Sequence, residues 1–296
     1  QVSSIADQEF VTPGRSSGLF EVIKQPYLTS LIVHKELRAR YRGSVFGMLW
    51  SYAKPATQFL VFYYAIGVFM RMNDQVPNYV IYMFSGVILI NYFSEIFGNA
   101  TRSVVGNAPL VKKIYLPREL FPVSSMLVAL VHFLPQVVTL LVGALYMGWW
   151  PSLTSVAAIL VGFVIVTFFA LGLGLLTGAV NVFYRDSENF VDLILMMATW
   201  LSPVLYTWSM VYKALGQVWG GALWYVYQLN PLTIAVELFH YGFWEATLDG
   251  TGGVVVSAVM PGMTRWVLLA LATSCLVLLL GETVFRKLDS QFAQEL

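Results

Sequence analysis

The residues of this chain that could do chemistry are few and badly placed for catalysis. His34, His132 and His240 lie far apart with no ligand-like neighbours, and the single cysteine, Cys275, excludes a thiolate metal cluster or an internal disulfide framework. No GxxxxGK[ST] run occurs, so the chain has no P-loop of its own. Its serines, aspartates and histidines form no arrangement that reads as a nucleophilic triad. What remains is binding chemistry. Lys35, Arg38, Arg40 and Arg42 put four cations into eight residues, and from Gly43 to Met70 Lys54 is the only formal charge. A segment cationic at one end and apolar for the next 28 residues suits the boundary between water, anionic headgroups and hydrocarbon.

The elements that must carry these residues follow from the same solvent argument. The chain is 58% hydrophobic and 11% charged, against about 25% charged residues in soluble domains. The fold class is therefore an all-α integral membrane protein. Six transmembrane helices are expected over 43–70, 79–100, 123–147, 153–180, 190–205 and 266–285. Residues 1–18 read as a flexible tail without the apolar core of a secretory signal, and 286–296 as a second tail. Between them, 19–42 combine an amphipathic helix over 19–32, which Pro26 should kink or divide, with the basic segment; 43–285 form the spanning domain. If 1–54, 102–118, 181–189 and 286–296 are cytoplasmic, every Lys and Arg except Arg71, Lys213 and Arg265 lies inside. The positive-inside rule thus places both termini in the cytoplasm.

Two segments do not fit simple spans. The aromatic stretch 206–247, broken at Gly220-Gly221 and Asn230-Pro231, reads as an outer re-entrant hairpin of two short helices, around Leu215 and over 234–243. The inner loop contains NAPLVKKIYLP, residues 107–117. Asn107 is a helix cap, Pro109 suits a first turn and Pro117 ends the helix. Leu110, Val111, Ile114 and Tyr115 share one face, with Lys112 and Lys113 on another. A helix of about eight residues is only about 12 Å long, too short to cross a bilayer. Its periodicity allows insertion into a groove on a soluble partner or rest on lipid headgroups.

Four runs, RYRGSVFGMLWSYAKP (40–55), NAPLVKKIYLPREL (107–120), YRDSENFVDLILMMATWLSPVLY (184–206) and NPLTIAVE (230–237), resemble in their order the membrane subunit of type-2 ABC exporters. Among these the chain is similar to the polysaccharide and polyol-phosphate export permeases, which move O-antigens, capsules, teichoic acids and cell-wall galactan. The resemblance runs from about Leu19 to the end. It implies a homodimer in the bacterial plasma membrane, docked on two copies of a separate ABC ATPase that holds the ATP and magnesium. This chain would then carry no cofactor, catalyse no reaction and bind no nucleic acid. The resemblance makes 107–116, with Asn107, Pro109, Leu110, Val111, Ile114 and Tyr115, the coupling helix, and 19–32 an interface helix. It makes Arg185 and Asp186 a second ATPase contact, and Trp208, Trp224, Tyr225, Asn230 and Glu237 parts of an outer gate.

The implied cargo is a lipid-diphosphate-linked polysaccharide. Sugars pack C–H faces on aromatic rings and need exchangeable polar partners, so Tyr52, Phe59, Tyr63, Asn91, Tyr92, Phe93 and Trp200 would line a channel between protomers. Packing between helices or against lipid competes for each. Arg38, Arg40 and Arg42 stand where a diphosphate would arrive, although bases before a first span are also ordinary positive-inside residues. Lys54, grouped with these arginines at the diphosphate or lipid head, either faces a wet vestibule, pairs with a carboxylate or snorkels inward. One rival reading is an exporter of a small hydrophobic drug, lipid or haem-like molecule. A proton-coupled transporter using Glu95, Asp192 or Glu237 would need an inverted repeat, and the spans show none. An enzyme acting on lipid diphosphates would need clustered carboxylates or histidines in the inner loops. Replacing Leu110, Ile114 and Tyr115 together by Asp should abolish ATP-coupled export; unchanged ATPase assembly and export would remove the coupling role.

Overall fold

The computed structural model describes residues 18–113, 116–248 and 259–296. Among these the chain is helical, with no strand. Pro26 divides the first amphipathic stretch, closing α1 (Leu19–Lys24) and opening α2 (Pro26–Tyr41) at the first helical position, where its missing N–H costs nothing. Helix α2 continues through Arg38 and Arg40. Val22, Ile32 and Val33 face the body, whereas Phe20, Ile23, Tyr27 and Leu31 recur at helical spacing on an exposed face.

Helix α3 (Trp50–Phe62) carries on into π-helical turns over Tyr63–Phe69, and α4 (Met72–Gln75) is a single turn. Among the described residues four helices are long and apolar enough to cross a membrane: α5 (Tyr79–Gly106), α7 (Leu120–Tyr146), α8 (Leu153–Phe183) and α13 (Met263–Leu288), the last carried on by further turns. Between them lie α6 (Ala108–Lys113) and α9 (Ser187–Leu201). The expected fifth span through residue 205 is shorter. Helix α9 has 15 residues and stops where Ser202 turns extended (φ −114°, ψ 151°), because the ring of Pro203 disfavours helical backbone in the residue before it. At about 22 Å it falls short of a 30 Å hydrocarbon core.

Where two short helices were expected over 206–247, the chain forms three, α10 (Trp208–Leu215), α11 (Ala222–Leu229) and α12 (Pro231–Phe239), followed by a π turn over His240–Trp244. The breaks fall at the expected residues. Trp219, Gly220 and Gly221 all take positive φ between α10 and α11. Asn230 caps α12, its Oδ1 accepting from Leu232 N at 3.1 Å. Every residue of α12 is buried, packed on α5, α8 and α13.

The core is organised by α8, which packs along α5 on one side and α13 on the other. Both contacts are made through glycine. A Cβ on Gly172 would lie 2.6 Å from Leu278 N, one on Gly281 would collide with the Gly172 carbonyl, and one on Gly178 would lie 3.0 Å from the Ala100 carbonyl oxygen. Small residues let helices approach backbone to backbone, where dispersion and Cα–H contacts replace the hydrophobic drive that lipid removes.

The expected C-terminal tail is instead part of the body. Residues 289–291 form a tight turn and α14 (Phe292–Glu295) follows, with Phe292 fully buried against Phe183 and Phe285. Arg118, just beyond α6, donates to the Asp289 backbone carbonyl and, at 2.8 Å, to its carboxylate, and its guanidinium lies 6.0 Å from the Phe292 ring. Helix α14 in turn packs on α6. On the other side Lys35 of α2 donates to the Asn107 side chain. Burial raises the neighbouring Glu36 carboxyl above its ordinary value, against the pull of Lys35, Arg40 and Asn107.

Gly281→Ala should lower the thermal stability of the solubilised protein by about 1–3 kcal/mol, whereas Gly106→Ala, whose Cβ meets nothing within 4 Å, should not. Equal stability of the two variants would show that α8 and α13 do not touch. Because Glu36 has a higher pKa folded than unfolded, its contribution to stability falls as pH rises from the unfolded carboxylate pKa through the raised one. Glu36→Gln should flatten that decline in a pH series of melting curves; an unaltered slope would mean that Glu36 ionises unhindered.

Candidate functional site

Four helices and the end of α2 enclose a cavity of about 820 Å³. Each contributes one face at helical spacing. From α3 come Trp50, Ser51, Lys54, Pro55 and Gln58; from α5, Asn91, Glu95, Asn99 and Arg102, with Tyr92, Ser94 and Gly98 beside them. Helix α7 supplies Ala129, His132, Phe133 and Gln136, and α9 supplies Asp192, Leu195, Met196 and Thr199. On otherwise apolar helices, steps of three and four residues stack these groups along one line. The polar stripe of α5 is the plainest case.

A hydrogen-bonded chain closes the cavity against α2. Arg40 Nη1 donates to Glu95 Oε1 at 2.7 Å, and the same oxygen lies 2.6 Å from His132 Nδ1. On the far side of the ring His132 Nε2 is 2.6 Å from the Tyr41 hydroxyl, which also meets Ser51. One tautomer satisfies the whole chain: Nδ1–H donates to the carboxylate, Nε2 accepts from Tyr41, and Tyr41 accepts from Ser51. Three helices, α2, α5 and α7, thus share one carboxylate. Arg102 is likewise engaged, at 3.3 Å to Glu188 and 2.6 Å to Asp192. With Asp192 more than half exposed, that second pair contributes only about 0–1 kcal/mol. Lys54 is exposed and has no carboxylate partner among the described residues.

Of the residues nominated from sequence, the structure gathers Arg40, Lys54, Asn91 and Tyr92 at this cavity. It commits Arg40 to Glu95 and not to an open phosphate position. Tyr92 shows the cavity only part of its ring: it is 2% exposed, stacked on Phe133 at 4.4 Å and bonded to Thr167 at 3.1 Å. Phe93 is in the core, packed on Phe97 and Phe169. Phe59 and Tyr63 stack on one another, the exposed Trp200 meets Phe62 edge to face, and Tyr52 is half-buried. Arg38 and Arg42 are exposed and do not line the cavity.

The other nominated residues lie at the two ends. Asn107 caps α6 with its backbone and not its side chain. Its carbonyl accepts from Leu110 and Val111, while its carboxamide donates to Ser103 O and accepts from Lys35. Val111 is buried against the body, Leu110 is half-buried, and Pro109, Lys112 and Lys113 are exposed; Ile114 and Tyr115 lie outside the described residues. Arg185 and Asp186 are exposed in the turn between α8 and α9. At the opposite end Trp224 is buried between Trp208, Tyr212 and Tyr227, and Tyr225 is exposed near Trp266. Glu237 is fully buried, 3.5 Å from His240, whose ring stacks on Tyr82.

Gln58, Asn99, His132, Gln136 and Thr199 line the cavity beyond the aromatics and Asn91 selected from sequence. The signal was available as polar side chains at i, i+3, i+4 and i+7 on apolar helices.

The chain is 27% identical to O-antigen export system permease proteins RfbA of Klebsiella pneumoniae, over 90% of its own length and 94% of theirs. It is 28% identical to the O-antigen export system permease protein RfbA of Myxococcus xanthus, over 79% of this chain and 87% of that one. Residues 27–244, from the second helix to the turn after the twelfth, match the ABC-2 type transporter family. The chain is a multi-pass membrane protein that belongs to the ABC-2 type transporter family.

Proposed function

We propose that this chain is the transmembrane subunit of an ATP-driven exporter that carries a lipid-diphosphate-linked polysaccharide out of the cytoplasm across the bacterial plasma membrane. The observation that carries the reading is the large cavity of carboxamides, hydroxyls and aromatic edges set among apolar helices. A permease for a small greasy molecule has no use for so many polar groups, each expensive to hold in hydrocarbon. The relatives' role in O-antigen export supports the same cargo class.

In this reading the subunit makes six passes, with α3 and its π-helical continuation as the first and α9 with the buried segment after it as the fifth. Both termini and α6 are cytoplasmic. Two copies pair, and the glycan passes between them. The exposed apolar faces of α3 with its π-helical continuation and of α9, with Leu60, Val61, Tyr64, Leu193, Met197 and Leu201, suit a second copy. Phe20, Ile23, Tyr27 and Leu31 rest α1 and α2 on the lipid surface. ATP and magnesium belong to a separate ABC ATPase, two copies of which dock on α6 and the Arg185–Asp186 turn. Motion of α6 passes to α2 through Asn107 and Lys35, and to α13 through α14, Arg118 and Asp289. Helices α10 to α12 form the gate at the outer end.

Depleting the protein in its native cell should trap long polymer on lipid diphosphate at the inner face of the membrane and strip it from the surface. Unchanged surface glycans and lipid-linked precursors would refute polysaccharide export.

A further inference from the structure

With Arg40 committed to Glu95, the arginines on either side of it are left to be accounted for. Arg38 lies in the last turn of α2 and Arg42 caps it. Both are exposed, and among the described residues neither meets a carboxylate. At 3.6 residues per turn, positions 27, 31, 38 and 42 fall within about 60° of one another, and Arg40 falls on the opposite side. One stripe of α2 is therefore apolar and then cationic. Tyr27 and Leu31 are 81% and 55% exposed on it. Directly after Arg42 the turn between α2 and α3 presents more apolar surface, with Val45, Phe46 and Leu49 exposed at 94%, 60% and 65%. Two free guanidiniums thus stand between two unpacked apolar patches.

The depth of this stripe follows from what the other side of the helix touches. Lys35 reaches Asn107, just beyond the end of α5, whereas Arg40 reaches Glu95, about 18 Å further along the same helix. Helix α2 therefore rises along the bundle from its inner end. Twenty residues of α5 counted from Tyr79 span about 30 Å, the thickness of the hydrocarbon, and end at Gly98, one turn from Glu95. The last turn of α2 accordingly lies where hydrocarbon gives way to inner headgroups. This placement rests on the export reading, which puts α6 at the cytoplasmic end.

Arginines at that border, with apolar groups on both sides, match the phosphate of a lipid whose acyl chains lie against the apolar patches. A zwitterionic headgroup brings its own ammonium, so only an anionic one supplies net charge for two cations. The diphosphate of a carrier lipid has the same oxygens, but its cargo has to enter the cavity, and Arg38 and Arg42 do not line it. We propose that Arg38 and Arg42 form a binding site for an anionic phospholipid of the inner leaflet. The lipid holds the last turn of α2 by one side, while Arg40 and Tyr41 tie the same turn to Glu95 and His132.

The test uses the whole permease–ATPase complex in nanodiscs of phosphatidylcholine mixed with phosphatidylglycerol, with native mass spectrometry reading which lipid stays bound. Wild type should retain phosphatidylglycerol in preference. Arg38→Gln and Arg42→Gln together should reduce that preference roughly 25-fold, about fivefold for each surface cation. Lys112→Gln with Lys113→Gln removes as much charge from α6 and should leave it unaltered. A second measurement keeps the arginines in place: a nitroxide on Val45→Cys, in a Cys275→Ser background, should collide with oxygen more often than with a water-soluble nickel chelate. Equal loss in the lysine pair, or none in the arginine pair, would reduce the site to the general positive charge of the inner face and overturn it. A nitroxide shielded from both reagents would mean that protein covers this face, and one open to nickel would put it in water; either result overturns lipid docking. Displacement of phosphatidylglycerol by an equimolar amount of polyprenyl diphosphate would assign the arginines to the carrier instead. Each of these failures leaves export intact, since that reading falls only if depletion leaves surface glycans unaltered.

Discussion

In hydrocarbon a polar group without a partner costs several kcal/mol, and no water is at hand to relieve it. That constraint shapes this chain more than any single apolar contact. Polar side chains of four helices are gathered onto one cavity, and Glu95 stands at the hub. By accepting from Arg40 and His132, and through His132 reaching Tyr41 and Ser51, this carboxylate joins α2, α3, α5 and α7. The network is satisfied in one proton arrangement, so it specifies helix positions as well as satisfying charges. Lys54, Asn91 and Gln136 line the same cavity without being drawn fully into that network.

Apolar packing provides the frame that holds those groups in place. Helix α8 carries no charge from Leu153 to Phe183, yet it is the most heavily used helix because glycines open both of its faces. Through Gly172 and Gly281 it meets α13, and through Gly174 and Gly178 it meets α5. Lipid tails are as apolar as leucine, so close backbone fit, and not burial from water, distinguishes the native pairing from others. The buried α12 then fills the remaining space beside α5, α8 and α13.

The two ends of the bundle differ in construction. At one end α6 is a short helix tied on two sides, by Lys35 of α2 to Asn107 and by α14, whose Phe292 is locked between Phe183 and Phe285. Helix α6 is therefore joined both to α2 and, through α14, to the end of α13. At the other end three short helices are separated by residues at positive φ and by an Asn-Pro cap. Such breaks let the backbone turn back while its polar groups stay bonded within the protein.

Periodicity and composition determined the all-helical membrane class, the division at Pro26, the breaks at Gly220-Gly221 and Asn230-Pro231, and the existence of a short helix after Asn107. Each is a local property: proline removes a donor, glycine admits positive φ, and apolar runs of sufficient length suit a bilayer. The same local evidence left open whether aromatics of the first, second and fifth spans line a path or pack between helices, and whether Arg40 meets phosphate or is an ordinary positive-inside residue. Only the tertiary structure decided that Phe93 belongs to the core, that Arg40 is held by Glu95, that Phe292 turns an apparent tail into a wedge, and that Gln58, Asn91, Asn99 and Gln136 converge. Those outcomes depend on how far each helix rotates about its axis and which neighbour it meets. Helical spacing says which residues share a face, but the partner across that face comes from packing between segments tens of residues apart.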